Sequence, residues 1–366
     1  MYNGSFVKSQ CRLRCQPIII SGLRFPYCRA HFIKVISGNG KNIIRKSATA
    51  LYPEILLEPR RTLPNLTLCL NRSGKKLDRR FFLPLANAAQ FFGVRNIMLM
   101  GENPTAHPDF AIALSSFSGK GESLSLWIKP GQSSPCADII AHEVNEIIFR
   151  LGPYSGTEKI WMAELRALRS EVRALRKERP HLIIKGVFHL SSATLRAMEN
   201  VIHRMEEALF DRLEFFPPNL FLNPESEPAT LPLSPELIPS HDELIRFEEN
   251  FWEMLDEHCF QSWLFDLEMT RRQLERVLLF FKSASCRGAF EPPHCRASRI
   301  SFYVEPTGHI RCCPWQEIFG NLQEMSLHEI EECEHVHDFR SKISLATDRI
   351  CQKCPGDFPH FLWRSH

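Results

Sequence analysis

The stretch from Cys295 to Cys354, "CRASRISFYVEPTGHIRCCPWQEIFGNLQEMSLHEIEECEHVHDFRSKISLATDRICQKC", decides the fold of the C-terminal part of the chain. Its segment "ISFYVEPTGHIRCC" places Pro306-Thr307-Gly308 between two short apolar runs, which predicts a β-hairpin that turns there. Cys312 and Cys313 follow the second strand of this hairpin. Neighbouring residues of a strand face opposite sides, so we expect only one of the two to bind a metal.

Further cysteines of the same stretch have the spacing of metal ligands. Cys351 and Cys354 are separated by two residues, which lets two thiolates reach one metal centre. Cys295 can supply one more ligand, and the hairpin supplies another. Four thiolates suit either a structural zinc ion or a 4Fe–4S cluster, and the residues alone leave both open.

Strands and helices alternate upstream of this stretch. The predicted strands are "NLTLCL", "NIMLM", "SLSLWI", "EIIFRL", "HLIIKGVFHL" and "RLEFFPP". Helices are predicted between several of them, the longest from residue 157 to Pro180, which ends it. Such alternation implies parallel strands joined by crossover helices. We therefore expect an α/β chain: a partial parallel (β/α)6 TIM-like barrel followed by a Cys-rich α+β module.

Composition suggests four regions. We expect a basic N-terminal leader at 1–61, the barrel at 62–220, a Pro-rich linker with helices at 221–284, and the cysteine-rich module at 285–366. The first 80 residues hold 16 Lys and Arg against 3 acidic residues, whereas the remainder holds 29 against 39. The leader suits a nucleic-acid-binding arm, a transit peptide or translated upstream sequence.

The C-terminal stretch resembles the SPASM or "twitch" domain of radical SAM enzymes, whose hallmark is C … G-x4-C … GN … C-x2-C. The residues that carry this resemblance are Cys295, Gly308, Cys313, Gly320-Asn321, Cys351 and Cys354. The resemblance implies that the four cysteines hold one auxiliary 4Fe–4S cluster. The full family pattern continues with about three more cysteines. None follows Cys354, so a second auxiliary cluster is not expected.

The segment "GENPTAHPDF" after the second strand resembles the "GGEPTLHPDF" segment of radical SAM barrels. In that family the backbone here receives the amino group of S-adenosylmethionine. The resemblance assigns this role to Gly101, Glu102, Asn103 and Pro104. Glu102 stands where glycine is usual and Asn103 where glutamate is usual, and glycine allows a closer backbone approach than glutamate does.

The cluster that cleaves S-adenosylmethionine has two candidate sites. The first is formed by Cys11, Cys15 and Cys28, because "CRLRC" and "PYC" resemble the two ends of the family motif "CNLRCPYC". Ten residues, 16–25, separate the two ends, and an insert that folds outward as a hairpin would restore the site. Three thiolates would leave one iron open for S-adenosylmethionine.

The second candidate is the loop after "NLTLCL", where the architecture places the family's cluster loop. Cys69, Ser73 and Lys76 fall at the three family positions, and only the first is a thiol. Serine is a poor iron ligand and protonated lysine is none. This pattern favours a barrel that has lost its catalytic cluster.

Two main functions follow. Whether Cys11, Cys15 and Cys28 hold a cluster decides between an enzyme and a non-enzyme. With a second 4Fe–4S cluster and S-adenosylmethionine, the chain would modify a peptide, protein or small-molecule cofactor precursor through a 5′-deoxyadenosyl radical. An electron donor such as a flavodoxin or ferredoxin would supply electrons. Alternatively, a degenerate barrel keeps one auxiliary cluster as a binding or electron-transfer module, or zinc staples a scaffold. We expect a cytoplasmic protein without membrane or nucleic-acid partners.

Overall fold

A computed structural model of the chain describes four short strands between residues 18 and 43 and most of residues 65–356. Within the latter range it leaves out residues 132–138, 140–141, 153–157, 199–209, 223–227, 230–231, 259–266, 287–288, 291–294 and 296. The chain divides into two compact units, Met1–Arg61 and Thr62–His366.

The described residues of the first unit form two antiparallel strand pairs. Strand β1 (Ile18–Ile20) pairs with β2 (Leu23–Phe25), and β3 (Val35–Ile36) pairs with β4 (Asn42–Ile43). Each pair is only two or three residues long.

The second unit is built on one large sheet. A separate hairpin is formed by β6 and β7. In chain order the strands of the unit are β5 (Asn65–Cys69), β6 (Asn71–Arg72), β7 (Lys75–Lys76), β8 (Asn96–Met100), β9 (Ser123–Ile128), β10 (Glu146–Leu151), β11 (Ile183–His189), β12 (Arg212–Phe216), β13 (Ser301–Val304), β14 (His309–Arg311) and β15 (Gly320–Asn321). The order in the sheet is β12-β11-β10-β9-β8-β5-β13-β14-β15. Strands β5 and β8 to β12 are parallel, which confirms the six strands predicted for a partial barrel.

Helices connect and cover these strands. They are α1 (Phe82–Phe91), α2 (Phe110–Phe117), α3 (Glu158–Glu178), α4 (Ser192–Leu195), α5 (His241–His258), α6 (Leu267–Cys286), α7 (Ala297–Ile300), α8 (Leu327–Glu332), α9 (Glu334–Lys342) and α10 (Arg349–Gln352). A capping box begins α5: Ser240 Oγ accepts from the N–H of Glu243, whose carboxylate accepts from the N–H of Ser240.

Alternate residues of the parallel strands enter two different apolar clusters. One set, which includes Leu68, Leu99 and Phe149, packs with the helices in the main core. The other set faces the opposite side and forms a second cluster of Met98, Trp127, Ile148, Val187 and Phe216, joined by Ala297. This second face is the inner face of the barrel, because the helices cover the first.

A buried ion pair lies on the same inner face. Lys185 Nζ contacts the carboxylate of Glu146 on the neighbouring strand, and Ser125 Oγ donates to Glu146 Oε2 at 3.0 Å. All three residues are at most 5% exposed. Charges removed from water in this way require each other, because an unpaired buried charge is strongly unfavourable.

The predicted C-terminal hairpin forms, and its first strand also joins the barrel sheet. Strand β13 pairs antiparallel with β14, and Gly308 in the turn has a φ of +85°. On its other side β13 pairs in parallel with β5, from Ser301 opposite Asn65 to Val304 opposite Leu68. The cysteine-rich module therefore adds three strands to the barrel sheet and is continuous with it.

The chain offers no candidate for a membrane-crossing helix within the described residues.

The ion pair between Lys185 and Glu146 gives a stability prediction. Lys185→Met leaves the Glu146 carboxylate buried without its partner, so we expect the free energy of unfolding to fall by about 3 kcal/mol or more. Adding Glu146→Gln should recover most of the loss. Urea unfolding measures both, and Lys177→Met on the exposed side of α3 is the matched control. Equal effects of the Lys185 and Lys177 substitutions would contradict the prediction.

Candidate metal centre

The four cysteines predicted as ligands lie on three segments of the C-terminal module. Cys295 precedes α7, Cys313 follows β14, and Cys351 and Cys354 lie in and just after α10. Burial raises the pKa of the Cys295 thiol to about 12, against the hydrogen bond from Ala297 that lowers it, and nearby Cys313 raises it further. Burial also raises the pKa of Cys351, with further contributions from Asp348, Cys313 and Cys354. The four thiols are therefore close enough to interact electrostatically.

Two of these sulfurs accept hydrogen bonds from the backbone two residues ahead. The N–H of Ala297 donates to Cys295 Sγ at 3.3 Å, and the N–H of Gly356 donates to Cys354 Sγ at 3.3 Å. Backbone N–H groups that point at a cysteine sulfur stabilise negative charge on it. The local backbone is thus arranged for thiolates, although the buried thiols on their own ionise with difficulty.

The other two sulfurs share one residue as a hydrogen-bond donor. The backbone N–H groups of Trp315 and Gln316 point at Cys313 and favour its ionised form, against burial and a hydrogen bond with Cys312 that raise its pKa. The side chain of Gln316 donates from Nε2 to Cys351 Sγ at 3.4 Å. All four candidate ligands therefore have an N–H donor at the sulfur.

The donor set fits an iron–sulfur cluster. In the described part of the chain, no group of three or more Cys, His, Asp or Glu side chains is arranged to hold a single metal ion. Four cysteine thiols from three segments are the donor type and number that a 4Fe–4S cluster takes, and four thiolates also suit zinc.

The neighbouring cysteines are not part of this set. Cys312 is completely buried in the main core, as expected for the member of the adjacent pair that faces away from the metal. Cys333 lies between α8 and α9, where it packs against the same core.

Buried contacts fix the module around the cysteines. Arg340 Nη1 donates to both carboxylate oxygens of Glu331 at 2.7 Å, and the Arg340 guanidinium lies 4.9 Å from the ring centre of Phe302 on β13. Arg340 lies on α9. It joins the last helices of the module to the strand that enters the barrel sheet.

The loop after β5 is short and folds as a tight hairpin. Strands β6 and β7 are joined by Ser73 and Gly74, which have φ values of +50° and +75°. Positive φ at both central residues is typical of a two-residue hairpin turn. Of the three positions that correspond to the family's cluster cysteines, Cys69 ends β5, Ser73 lies in the turn and Lys76 ends β7, and only Cys69 is a thiol.

Cys69 is held in a non-reactive state. It is 2% exposed, its thiol donates to the carbonyl oxygen of Asn71 at 3.6 Å, and it also hydrogen-bonds with the hydroxyl of Tyr303 on β13. Burial raises the pKa of this thiol to about 11. Cys69 thus packs between β5 and β13 as a buried thiol, and neither Ser73 nor Lys76 supplies a second one.

Asn71 binds the segment that resembles the S-adenosylmethionine contact. Its side-chain Nδ2 donates to the carbonyl of Asn103, and its Oδ1 accepts from the N–H of Asn103 at 3.1 Å. Its backbone carbonyl accepts from the N–H of Glu102 at 3.0 Å. The polar backbone groups of this segment are thus used within the protein itself.

Gly101 allows this close approach. A Cβ added at Gly101 would contact Asn71 Oδ1 and lie 2.8 Å from the Asn71 carbonyl oxygen, which is closer than real Cβ atoms come. Pro104 is buried and begins a short 3-10 turn, while the side chain of Glu102 is exposed. The sequence identified the segment and missed Asn71, although an Asn two residues before a Ser-Gly turn was a usable signal for a hairpin.

Cys11, Cys15 and Cys28, the other candidate cluster ligands, lie outside the described residues.

Removing the Asn71 side chain should be costly. Asn71→Ala leaves the N–H and carbonyl of Asn103 without these partners, and we expect the free energy of unfolding to fall by about 1–3 kcal/mol. Asn87→Ala, at an exposed position of α1, is the matched control and should cause no comparable loss. Chemical denaturation measures both; an equally stable Asn71→Ala protein would show that the contact contributes nothing.

His107 makes the same region sensitive to acid. Its Nε2 bonds to the carbonyl of Leu77 at 3.0 Å, its Nδ1 accepts from the N–H of Asp109 at 3.1 Å, and burial lowers its pKa. His107 is then protonated more easily in the unfolded chain than in the folded chain. Its contribution to the free energy of unfolding is therefore complete above pH 6.5 and declines as the pH falls below that value.

Stability should therefore decrease more steeply between pH 7 and pH 5 in the natural protein than in His107→Gln. Chemical denaturation at several pH values measures this difference. Parallel pH profiles for the two proteins would contradict the assignment to His107.

Solved structures share this architecture. The structure of SuiB from Streptococcus suis bound to the precursor peptide SuiA aligns with a TM-score of 0.53 and 11% identity, over 81% of this chain and 72% of that chain. SuiB alone aligns with a TM-score of 0.51 and 12% identity, over 81% and 73%. Coproporphyrinogen III oxidase (HemN) from Escherichia coli, a radical SAM enzyme, aligns less well, with a TM-score of 0.36 and 12% identity over 58% and 56%. At these identities the likeness concerns the fold.

The C-terminal module matches a family directly. Residues 295–355 match the SPASM family model, an iron–sulfur cluster-binding domain, and this range contains all four candidate ligands. A search of curated protein sequences finds no match to this chain. The C-terminal module is therefore identified as a SPASM-type iron–sulfur cluster-binding domain, and the α/β barrel before it shares its fold with SuiB.

Proposed function

We propose that the barrel of this protein does not cleave S-adenosylmethionine and that the protein works through one 4Fe–4S cluster in its SPASM domain. The cluster would be held by Cys295, Cys313, Cys351 and Cys354, and it would supply one-electron chemistry or a rigid docking element. The protein would bind a peptide or protein partner, or pass electrons to it.

The observation that carries this proposal is the hairpin after β5. A cluster that cleaves S-adenosylmethionine needs three thiolates in the loop there, and of the three positions only Cys69 is a thiol, beside Ser73 and Lys76. The Asn71 side chain bonds to both backbone groups of Asn103, in the segment where the family binds the amino group of S-adenosylmethionine. The backbone of that segment is therefore already paired within the protein.

The inner face of the barrel supports the same proposal. Met98, Trp127, Ile148, Val187 and Phe216 are each at most 4% exposed, and Cys295 and Cys313 pack against this cluster. A catalytic barrel must leave room beside its cluster for S-adenosylmethionine and a substrate. In the described part of the barrel, buried apolar side chains of the protein itself line this face.

A peptide or protein is the partner class we favour. SuiB, whose structure was solved with its precursor peptide SuiA, shares the fold of this chain. An electron carrier such as a flavodoxin or ferredoxin would serve the electron-transfer role, in the cytoplasm. Both partner assignments are part of the proposal.

Anaerobic reconstitution with iron and sulfide tests the proposal. The natural chain and a Cys11→Ala/Cys15→Ala/Cys28→Ala variant are compared for iron content, and for 5′-deoxyadenosine formed with dithionite and S-adenosylmethionine. We expect about four irons per chain in both proteins, the content of one 4Fe–4S cluster. We expect no 5′-deoxyadenosine from either.

A different outcome would establish the alternative enzyme. About eight irons in the natural chain, with 5′-deoxyadenosine that disappears in the triple variant, would mean that Cys11, Cys15 and Cys28 hold a catalytic cluster. Zinc in place of iron, without the broad absorption near 400 nm of a cluster, would instead support a zinc-stapled scaffold.

The cluster ligands give a separate prediction. Cys351→Ser replaces a thiolate by a poor iron ligand, so we expect most of the iron to be lost. Cys333→Ser changes a half-buried cysteine outside the ligand set and should keep its iron. Iron analysis after reconstitution measures both, and full iron content in Cys351→Ser would remove Cys351 from the ligand set.

A further inference from the structure

Gln316 occupies an unusual position between two cluster ligands. It is 4% exposed, it lies three residues after Cys313, and it is far in sequence from Cys351. Its backbone N–H donates to the Cys313 carbonyl oxygen at 3.4 Å, and its side-chain Nε2 donates to Cys351 Sγ at 3.4 Å. One residue therefore contacts two ligands that come from separate segments.

The side chain of Gln316 is fixed by further hydrogen bonds. Its Nε2 also donates to Asp348 Oδ1 at 3.1 Å, and Asp348 Oδ1 accepts from the N–H of Cys351 at 2.8 Å, as the N-cap of α10. The carbonyl of Gln316 accepts from Arg311, whose Nε donates to Glu305 at 2.6 Å. Both protons of the amide nitrogen are thus committed, one to Asp348 and one to sulfur.

This geometry has an electrostatic consequence. Asp348 places a negative charge near Cys351, which disfavours negative charge on the sulfur. The amide N–H of Gln316 lies between the carboxylate and the thiolate and offsets that repulsion. A reduced cluster carries one more electron than an oxidised cluster, so an N–H donor at a ligand sulfur stabilises the reduced state more.

We propose that Gln316 is a positioning residue of the SPASM cluster, which holds Cys313 and Cys351 in place and raises the reduction potential through its hydrogen bond to Cys351. The proposal rests on the proposed function, because it requires the cluster. It assigns to this side chain a role in the redox property of the centre in addition to its packing.

Two substitutions separate hydrogen bonding from packing. Gln316→Met keeps the approximate length and volume of the side chain and removes the N–H donor. Gln316→Asn keeps an amide and is too short to span the same distance to Cys351. Both leave the backbone N–H at Cys313 in place. Gln323→Met, at an exposed position of the same module, is the matched control.

The experiment is an anaerobic redox titration of the reconstituted full-length chain, followed by electron paramagnetic resonance of the reduced cluster, with iron content measured on each sample. We expect Gln316→Met and Gln316→Asn to bind iron and to shift the midpoint potential downward by a similar amount. Gln323→Met should have the potential of the natural protein. A shift in both variants, despite their different volumes, assigns the effect to the lost hydrogen bond.

Other outcomes are decisive as well. If the natural chain holds a cluster and the Gln316 variants have its potential, the inference on Gln316 is wrong and the proposed cluster stands. The same conclusion holds if the variants only lose iron and the remaining clusters titrate as in the natural chain. If the natural chain binds no cluster, the proposed function itself fails.

Discussion

The pairing of β13 with β5 is the constraint on which the other features of the second unit depend. Four residues of the SPASM module, from Ser301 to Val304, lie in parallel register with the first barrel strand. This places Tyr303 against Cys69 and brings Cys295 and Cys313 to the inner apolar cluster of the barrel. The barrel and the iron–sulfur module therefore share one sheet and one core, and the contents of each limit the other.

The same region shows how the barrel is stabilised around the short hairpin that follows β5. A loop that wraps a cluster takes much of its order from the metal, and without the metal its backbone polar groups need other partners. Here the loop is reduced to a two-residue turn, and Asn71 provides the partners for Asn103 and Glu102. The interior beyond it is closed by Met98, Trp127 and their neighbours. The arrangement is internally consistent, since polar groups are paired and apolar groups are packed.

Much of this could be predicted from the sequence because the signals were local. The six strands are continuous apolar runs, the C-terminal hairpin turns at Pro306-Thr307-Gly308, and the cysteine spacing matched the SPASM pattern. The contacts that could not be predicted join residues far apart in the chain. The β13–β5 pairing spans more than 230 residues, and the Asn71–Asn103 bonds depend on the register of β5 with β8. Local propensity carries no information on such partners. The role proposed for Gln316 likewise could be inferred only once the fold placed Cys351 beside it.

The shared sheet has a consequence for how the state of the metal is felt elsewhere. A group that binds only the folded form adds its binding free energy to the stability of the whole cooperative unit to which it is attached. Strand β13 belongs to the cysteine-rich module and pairs with β5. Four further strands separate β5 from the far edge of the sheet at β12. Gain or loss of iron from a cluster bound as proposed would therefore change how often the opposite edge of this sheet opens. The centre would act as a thermodynamic ligand of the barrel, and oxygen that destroys the cluster would weaken strands as distant as β12.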